Sequence, residues 1–398
     1  MSVTTFADLG VSSAVARALG ERGITNSFPV QETVVPDVLA GRDVLVKAPT
    51  GSGKTLAFGA PLVDRIAATD RRPSALILAP TRELASQIVD EVMTLAHARA
   101  LGIAAVYGGV GIHAQAKRAK NAHIIVATPG RLQDLIDRGD VALGHVKLLV
   151  LDEADRMLDM GFRPAVDRIV KLCRSERQTL LFSATLDGEV GRLANRYTTD
   201  ARRHDTLHTE ESKGKVEHRF IRVAHEAKVD RLVQELRGAQ GGRTLVFVRT
   251  KRGADRLVKR LGSHDVAAVA MHGDKSQSQR EKALARFESG NVGTLVATDV
   301  AARGIDVQDI THVINYDAPG AREDYVHRVG RTARAGATGV GITFVLDDQS
   351  RDIVKMGGDL GLHRELSAAG LSDGGATTPS RRNGRPQQRD RNGNRRRR

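Results

Sequence analysis

A Gly-rich segment in the first sixty residues has the composition of a phosphate-binding loop. It comprises Ala48, Pro49, Thr50, Gly51, Ser52, Gly53, Lys54 and Thr55, between an apolar run and a stretch of helical periodicity. In such a loop, backbone N–H groups and the start of the helix cradle phosphates. Lys54 would reach the outer phosphates and the Thr55 hydroxyl would help to hold Mg²⁺, while Gly51 and Gly53 allow close backbone approach. Ala48 replaces the Gly of the strict pattern, and the alternative interpretation is a structural turn.

Two adjacent carboxylates follow another apolar run, LLVLDEAD at residues 148–155. Asp152 and Glu153 stand at the C-terminal end of this predicted strand, the edge at which open α/β sheets bind ligands. One carboxylate can coordinate Mg²⁺ while the other activates water. Alone, the pair would indicate a solvated helix start. Together with the Gly-rich segment, it predicts a nucleotide hydrolysis site.

Apolar, β-branched runs that alternate with helical stretches indicate the elements that position these residues. The runs lie at 43–49, 74–81, 123–129, 146–155 and 178–185, and then at 243–250, 266–273, 292–299, 311–317 and 339–346. Strands that are apolar on both faces and alternate with helices form parallel sheets covered on both sides. Residues 198–215, between the two series, are polar without an apolar period. The sequence therefore predicts an α/β protein of two similar units joined by a linker.

The formal net charge of +14 is concentrated at one end of the chain. Residues 379–398 contain nine Arg and one Asp, within a region rich in Gly, Pro and Asn that predicts disorder. Arg binds phosphate bidentately and releases condensed counterions, so we expect the tail to contact a polyphosphate backbone. The alternative is a solubilising end. Aromatic residues make up only 3% of the chain, which argues against a base-stacking platform.

Features of membrane and secreted proteins are missing from the sequence. There is no apolar run of about 18 residues, and MSVTTFADLG lacks the basic and apolar regions of a signal peptide. Cys173 is the single cysteine, which excludes a disulfide within the chain and suits a reducing compartment. We therefore expect a cytoplasmic protein.

An ordered series of motifs surrounds the nucleotide site and resembles that of the DEAD-box RNA helicases. These motifs are APTGSGKT (48–55), PTRELA (80–85), GG (108–109), TPGR (128–131), DEAD (152–155), SAT (183–185), ATDVAARGID (297–306) and HRVGRTAR (327–334). The resemblance runs from Phe6 to about Leu346. It implies two tandem RecA-like domains, with domain 1 at 1–205, a linker at 206–215, domain 2 at 216–365 and a disordered tail at 366–398. The short basic tail resembles that of bacterial general-purpose members.

The family's mechanism is RNA-stimulated ATP hydrolysis coupled to domain closure and local, non-processive remodelling of RNA duplexes. By this resemblance Asp152, with Thr55, would bind Mg²⁺, and Glu153 would position or deprotonate the attacking water. Ser183 and Thr185 would link the carboxylates to closure. From domain 2 the resemblance nominates the arginine fingers Arg331 and Arg334, the ribose-binding Asp306 and the bridging His327. A guanidinium supplied by closure is worth roughly 10³–10⁵ in rate.

Residues 23–31, together with Phe6, look like the family's adenine-reading Q motif. The Gln31 amide offers one donor and one acceptor, which match adenine N6 and N7, and Phe6 can stack on the purine. Guanine presents two acceptors there and would be rejected. The family usually has Pro-Thr where this chain has Ser27-Phe28.

The resemblance also nominates RNA contacts in both domains. In domain 1 they are Thr81, Arg82, Gly108, Gly109, Thr128, Pro129, Gly130 and Arg131, and in domain 2 they are Thr250, Gln277, Arg280 and Thr298. Hydroxyls, amides, glycine N–H groups and arginines suit phosphates and 2′-hydroxyls rather than base edges. We therefore expect single-stranded and duplex RNA as partners, with low sequence specificity.

Two other functions stay open on the sequence. A DNA helicase would share the Gly-rich loop and the arginine motif, although the Q motif with DEAD and SAT argues against it. An ATP-dependent RNA clamp or assembly platform would need no strand separation. We expect ATP and Mg²⁺ as cofactors, no membrane partner and a monomeric chain.

Overall fold

The computed structural model describes residues 4–48, 51–206, 215–239, 241–302, 307, 309–333 and 337–371. Within these residues the chain forms two all-parallel sheets, of seven and six strands, each flanked by helices. The α/β class and the division into two units are confirmed.

Domain 1 holds the first sheet. Its strands are β1 (Val44–Lys47), β2 (Ala75–Leu78), β3 (Ile103–Val106), β4 (Ile124–Ala127), β5 (Leu148–Leu151), β6 (Gln178–Ser183) and β7 (Arg202–Asp205). Its helices are α1 (Ser13–Glu21), α2 (Pro29–Leu39), α3 (Lys54–Asp64), α4 (Arg82–Ala98), α5 (Ile112–Lys120), α6 (Pro129–Asp137), α7 (Ala154–Asp159), α8 (Arg163–Leu172) and α9 (Gly188–Tyr197). The strand order is β3-β4-β2-β5-β6-β1-β7.

Domain 2 holds the second sheet. Its strands are β8 (Val216–Arg222), β9 (Arg243–Phe247), β10 (Ala268–Met271), β11 (Thr294–Ala297), β12 (Ile310–Asn315) and β13 (Gly339–Val345). Its helices are α10 (Lys228–Gly238), α11 (Lys251–Gly262), α12 (Gln277–Glu288), α13 (Asp299–Ala302), α14 (Arg322–Val329), α15 (Ser350–Asp359) and α16 (His363–Ala368), with a 3-10 turn at Asp347–Gln349. The strand order is β10-β11-β9-β12-β13-β8.

Burial on both faces explains the continuous apolar runs of the central strands. Successive residues of a strand point to opposite faces. Accordingly, Ile77 packs in one hydrophobic cluster of domain 1 and its neighbour Leu78 in the cluster on the other face. Val246 and Phe247 divide in the same way between two clusters of domain 2. Each sheet is therefore a rigid central layer whose edges can hold functional side chains.

The carboxyl ends of three neighbouring strands bring the catalytic candidates of domain 1 together. β1 leads into the Gly-rich loop, β5 into Asp152 and β6 ends at Ser183, and these strands are adjacent in the order β5-β6-β1. In domain 2 the adjacent strands β11, β9 and β12 end next to Thr298, Thr250 and Asp317. The fold thus gathers residues that lie far apart in the sequence.

Three strands, β3, β7 and β8, were not predicted from the sequence. β3 lacks a strong apolar run, and β7 lies within the polar stretch 198–215. β7 is an edge strand whose residues are mostly exposed, and it pairs with β1 through its backbone. β8, which is also an edge strand, begins where domain 2 was predicted to begin. Strands that bury little side-chain area leave little apolar signal.

Domain 2 extends past its predicted end at residue 365. Helix α16 continues to Ala368, and the buried Leu366 and Leu371 pack in one cluster with Phe220 and Tyr325. The prediction of disorder from residue 366 is therefore wrong for 366–371. The arginine-rich tail at 379–398 and most of the predicted linker, 207–214, lie outside the described residues.

Candidate functional site

The Gly-rich loop connects β1 to α3, the arrangement expected of a phosphate-binding loop. Gly51 and Gly53 have φ angles of +82° and +87°, left-handed values that favour glycine. Lys54, the first residue of α3, is buried, and its Nζ donates to the Ala48 carbonyl oxygen at 3.0 Å. Ser52 and Thr55 are partly exposed beside it, whereas Pro49 and Thr50 lie outside the described residues. The loop thus presents an ammonium group at a helix N-terminus, where phosphate binds.

Asp152 and Glu153 are both buried at the end of β5, yet their pKa values shift in opposite directions. Burial raises the pKa of Asp152 to about 7, although the charge of Lys54 opposes it. Burial also acts to raise the pKa of Glu153, but a cluster of cations outweighs it and the net shift is downward. In decreasing order of effect these cations are Arg156, Lys54, Arg331 and His327. Carboxylates whose pKa values are separated in this way suit different roles.

The SAT segment is hydrogen-bonded to the DEAD segment. The Ser183 hydroxyl accepts from the Asp155 N–H at 3.4 Å and from the Thr185 N–H at 3.3 Å. The Ala184 N–H donates to Asp155 Oδ2 at 3.2 Å. The ends of β5 and β6 are therefore tied together, and a shift of one moves the other.

Two side chains of domain 2, Arg331 and His327, act electrostatically on the Glu153 carboxylate of domain 1. Arg331 is buried, and its Nε donates to the His327 carbonyl oxygen at 3.2 Å. A cleft between the domains is lined by Arg156 from domain 1 and by Phe247, Asp299, Ala302, Asp324, His327, Arg328 and Arg331 from domain 2. The predicted partners Arg334 and Asp306 lie outside the described residues.

The Q-motif residues occupy different environments. Gln31 is 1% exposed, and both ends of its amide are engaged: Oε1 accepts from the Phe28 N–H at 2.8 Å, and Nε2 donates to the Gly53 carbonyl oxygen at 3.0 Å. Phe6 is 2% exposed and packs in the core of domain 1. The structure links Gln31 to the Gly-rich loop, and base reading by Gln31 and Phe6 stays a prediction.

The RNA candidates of domain 1 form a compact group. The Arg82 guanidinium lies against Gly108 and Gly109 so closely that a Cβ at Gly109 would collide with it. Arg131 Nη1 donates to the carbonyl oxygen of Val110, the residue after these glycines, at 2.9 Å. The Thr81 hydroxyl caps α4, and Thr128, Pro129 and Gly130 form the start of α6. Arg131 therefore holds the segment 108–110 in place, and it also offers a positive charge.

One RNA candidate of domain 2 reaches this group across the domain boundary. Arg280 Nη2 lies 2.7 Å from Glu83 Oε1, and both side chains are buried. Burial lowers the pKa of Arg82, and the like charges of Arg280 and Arg131 add to this. Gln277 Nε2 donates to Glu281 at 3.0 Å, and Thr250 and Thr298 stand at the ends of the neighbouring strands β9 and β11.

Four residues of the site were not singled out in the sequence, although each lies in or next to a recognised motif. They are Arg328, Asp299, Arg156 and Glu83. Arg328 forms a bidentate ion pair with Asp299 at 2.6 and 2.7 Å and donates to the Asp317 carbonyl oxygen at 2.7 Å. Arg156, directly after the DEAD tetrad, lies 3.4 Å from Glu153. Glu83 is the partner of Arg280 described above. Their position in the motifs was the available signal, but their partners depend on the fold.

Both domains of the chain match known protein families. Residues 28–193 match the family model described as DEAD/DEAH box helicase, and residues 227–336 match the helicase conserved C-terminal domain. The chain is 41% identical over 344 residues to the DEAD-box ATP-dependent RNA helicase CshA of Geobacillus kaustophilus, covering 86% of this chain and 74% of the relative. Among the described residues, no helix is long and apolar enough to cross a membrane.

Solved structures give the same result for the fold. S. cerevisiae Dbp5 bound to RNA and ADP BeF3 matches with a TM-score of 0.81 and 29% identity, covering 90% of this chain and 93% of that one. A DEAD box protein from the hyperthermophile Methanococcus jannaschii is 37% identical but has a TM-score of 0.53, covering 92% of this chain and 98% of that one. The two sheets with their flanking helices are the tandem RecA-like domains predicted from the motifs. The chain belongs to the family of DEAD-box ATP-dependent RNA helicases.

Proposed function

We propose that ATP and a single strand of RNA are bound between the two domains, and that closure completes the hydrolysis site. The observation that carries the proposal is the cleft in which Arg156 of domain 1 faces His327, Arg328 and Arg331 of domain 2. Charge develops on phosphoryl oxygens during the reaction, and guanidinium groups stabilise it. Because Arg331 and Lys54 belong to different domains, an open molecule would lack one of the two cations.

Glu153 acts on water in this proposal, and Asp152 contributes to Mg²⁺ binding. The net downward shift of the Glu153 pKa keeps its carboxylate ionised at neutral pH, so it can accept a hydrogen bond from the attacking water. The raised pKa of Asp152 reflects a buried carboxylate that gains from a further cation.

The donor set fits Mg²⁺ bound mainly through the nucleotide. Among the described residues, no group of three or more His, Cys, Asp or Glu side chains could hold a metal. Mg²⁺ usually takes one or two protein ligands and completes its shell with substrate phosphates and water. Asp152 and Thr55 would be those ligands, and the ion would neutralise charge on the phosphates.

RNA binding is supported by the crowding of like charges at the domain boundary. Burial lowers the pKa of Arg82, and the nearby positive charges of Arg280 and Arg131 lower it further. A phosphate group would relieve this repulsion and accept bidentate hydrogen bonds. Since one of the three belongs to domain 2, RNA would favour the closed arrangement. Guanidinium groups in such a cluster suit phosphates, which carry no base information, so we expect low sequence specificity.

The proposal is tested by steady-state ATP hydrolysis with the full chain. Single-stranded RNA should stimulate turnover, whereas single-stranded DNA of the same sequence should stimulate it far less. A short RNA duplex with a single-stranded overhang should separate in the presence of ATP. RNA-stimulated hydrolysis without strand separation would favour the clamp. Equal stimulation by DNA would contradict the RNA assignment.

We propose further that the working form is a cytoplasmic monomer. The two domains of one chain supply both halves of the site, so catalysis requires no second copy. Sedimentation equilibrium in the presence of ATP and RNA tests this, and a dimer at micromolar concentration would contradict it.

A further inference from the structure

Helix α14 carries residues of the site on one side and packs against the sheet of domain 2 on the other. His327 lines the cleft between the domains, and its carbonyl oxygen accepts from Nε of Arg331, which follows the helix. Tyr325 and Val329, one helical turn apart, are buried in a hydrophobic cluster of domain 2. A rotation of α14 about this buried side would therefore move Arg331 relative to domain 1.

Tyr325 makes a directional contact from this buried side of the helix. Its side chain is buried, and its hydroxyl oxygen lies 2.7 Å from Nδ1 of His218 in the edge strand β8. His218 and Phe220 are two residues apart, so their side chains lie on the same face of β8. The Tyr325 ring lies against both, with centroid separations of 5.8 Å to His218 and 6.1 Å to Phe220. β8 therefore contacts α14 through one hydrogen bond and two stacked rings.

The hydrogen bond between Tyr325 and His218 is kept at physiological pH. Burial lowers the pKa of His218, although the Glu365 charge of α16 opposes this, so the imidazole is neutral. Burial raises the pKa of Tyr325, and the Glu365 charge adds to this, so the phenol keeps its proton. A phenol hydroxyl both donates and accepts, and a neutral imidazole offers one donor and one acceptor. The contact is consequently a hydrogen bond in either tautomer of His218.

The neighbouring apolar contact brings α14 close to the sheet. A Cβ built on Gly341 of β13 would be 3.1 Å from Val329 Cγ1, so the missing side chain lets the helix lie directly on the sheet. Gly341 is paired with His218 in the register of β13 and β8. Apolar packing is not directional, whereas a hydrogen bond has a preferred geometry. Together with the ion pair of Arg328, the contact between Tyr325 and His218 can therefore define the rotation of α14.

We propose that Tyr325 and His218 are positioning residues of the hydrolysis site, and that their hydrogen bond orients α14 so that Arg331 reaches the outer phosphate of ATP. This inference rests on the proposed function, because it assigns a support to the arginine that acts on closure. Tyr325 is 2% exposed and would act through Arg331 rather than on the nucleotide. The contact would set the rate of hydrolysis and not the affinity for ATP, which depends on Lys54 and the Gly-rich loop of domain 1.

Variants of the two residues separate positioning from packing. Tyr325→Phe keeps the stacked ring and removes the hydroxyl, His218→Leu removes the imidazole, and His218→Gln keeps a side chain that can hydrogen-bond to the hydroxyl. The measurements are kcat and KM for ATP at saturating single-stranded RNA, together with the thermal midpoint. We expect Tyr325→Phe and His218→Leu to lower kcat roughly 3- to 10-fold, the effect of one hydrogen bond, with KM nearly unchanged. His218→Gln should stay within about twofold of the parent in kcat, since its amide restores the hydrogen bond.

The Arg331→Ala background shows whether the contact acts through that arginine. Tyr325→Phe combined with Arg331→Ala should hydrolyse ATP in single turnover as slowly as Arg331→Ala alone, because effects that pass through one residue are not additive. Val233→Ala is the control for stability, since Val233 is a buried residue of α10 in a different cluster of domain 2. It should lower the thermal midpoint and leave kcat unchanged at a temperature well below that midpoint.

The inference is overturned if Tyr325→Phe or His218→Leu retains the parent's kcat. It is also overturned if Tyr325→Phe slows Arg331→Ala by the same factor as it slows the parent. The first result would make the contact one of packing alone, and the second would mean that it does not act through Arg331. Either result would leave the proposed function intact, provided that the parent hydrolyses ATP in response to RNA. If the parent shows no such hydrolysis, the proposed function itself fails.

Discussion

The sheet edge of domain 1 presents buried carboxylates, whereas the corresponding edge of domain 2 leads to buried arginines. Asp152 and Glu153 follow β5, and the Lys54 charge acts on both carboxylates, whereas Arg331 and His327 of domain 2 act on Glu153. In domain 2, Asp299 follows β11 and fixes Arg328 through two short contacts. The two domains thus share one architecture, but their sheet edges lead to side chains of opposite charge.

The difference between the domains is the basis of the closure mechanism proposed above. A buried carboxylate is costly unless cations accompany it, and here some of these cations come from the other domain. Separation of the domains would remove them from Glu153 and break the contact between Glu83 and Arg280. Each half is therefore expected to be catalytically incomplete, and the predictions below test this asymmetry.

Removing the domain 2 cation next to the site should have the largest effect. We expect Arg331→Ala to lower RNA-stimulated kcat by roughly 10³-fold or more, because arginine fingers contribute about 10³–10⁵. The variant should still bind ATP, since Lys54 and the Gly-rich loop belong to domain 1. Single-turnover hydrolysis and equilibrium binding measure the two quantities.

Arg351→Ala is a matched control, because Arg351 is an exposed arginine of α15 in the same domain. It should leave kcat unchanged. Comparable rates for Arg331→Ala and the control would show that domain 2 does not complete the site. Arg334→Ala, the second predicted finger, should resemble Arg331→Ala.

The matching change in domain 1 is Glu153→Gln, which keeps the shape of the side chain and removes its charge. We expect kcat to fall about 10²- to 10⁴-fold, the range for general-base and positioning effects. ATP and RNA affinity should be retained, because the carboxylate acts on water. Turnover within a factor of about three of the parent would contradict the assignment.

The burial of a strand decides whether it could be predicted from the sequence. Runs such as 148–155 and 178–185 predicted the central strands correctly because both faces of these strands are buried. The hydrolysis site at the Gly-rich loop and the carboxylates stays a prediction. β7 remained hidden because an exposed edge strand needs no apolar side chains. The sequence did not indicate that Phe6 is 2% exposed in the core of domain 1, and its stacking on the purine stays a prediction.

The side-chain contacts between the two domains could not be predicted from the sequence either. Nothing in PTRELA indicates that Glu83 meets Arg280 about two hundred positions later, because that contact requires both domains to be folded and closed. The same holds for the balance of charges around Glu153. Motifs identify which residues matter, and the fold determines which residues act on each other.

The contact between Glu83 and Arg280 should have an intermediate effect. Burial raises the pKa of Glu83 even though the Arg280 charge opposes it, so the contact offsets only part of the cost of burying the carboxylate. We expect Glu83→Gln to lower RNA-stimulated turnover by about three- to tenfold. Arg280→Gln should lower it more, because it leaves a buried carboxylate without its partner and removes an RNA contact.

The pH dependence of this effect has a definite sign. In the closed molecule the Glu83 pKa is raised, so the closed state takes up more protons than the open one. Closure is therefore favoured as pH falls and weakened as pH rises through the raised pKa. The defect of Arg280→Gln should be smaller at pH 5 than at pH 8, whereas Arg280→Gln combined with Glu83→Gln should show little such change. A defect that grows as the pH falls would contradict the proposed role of Glu83.

Removing residues 379–398 should have the smallest effect on the two domains. The deletion takes away nine Arg and one Asp, lies outside the described residues and contains no recognised motif. Turnover at saturating RNA and the thermal midpoint should be unchanged. RNA affinity should fall, and the slope of log K against log salt should flatten by roughly 3 to 4 if about five arginines contact phosphates of a single strand. The loss should be equal for RNAs of different sequence, because phosphate contacts carry no base information. The tail would then hold RNA independently of ATP, in contrast to the domain boundary, whose grip depends on closure. An unchanged salt slope would indicate that the tail only aids solubility and that RNA binding resides entirely in the two domains.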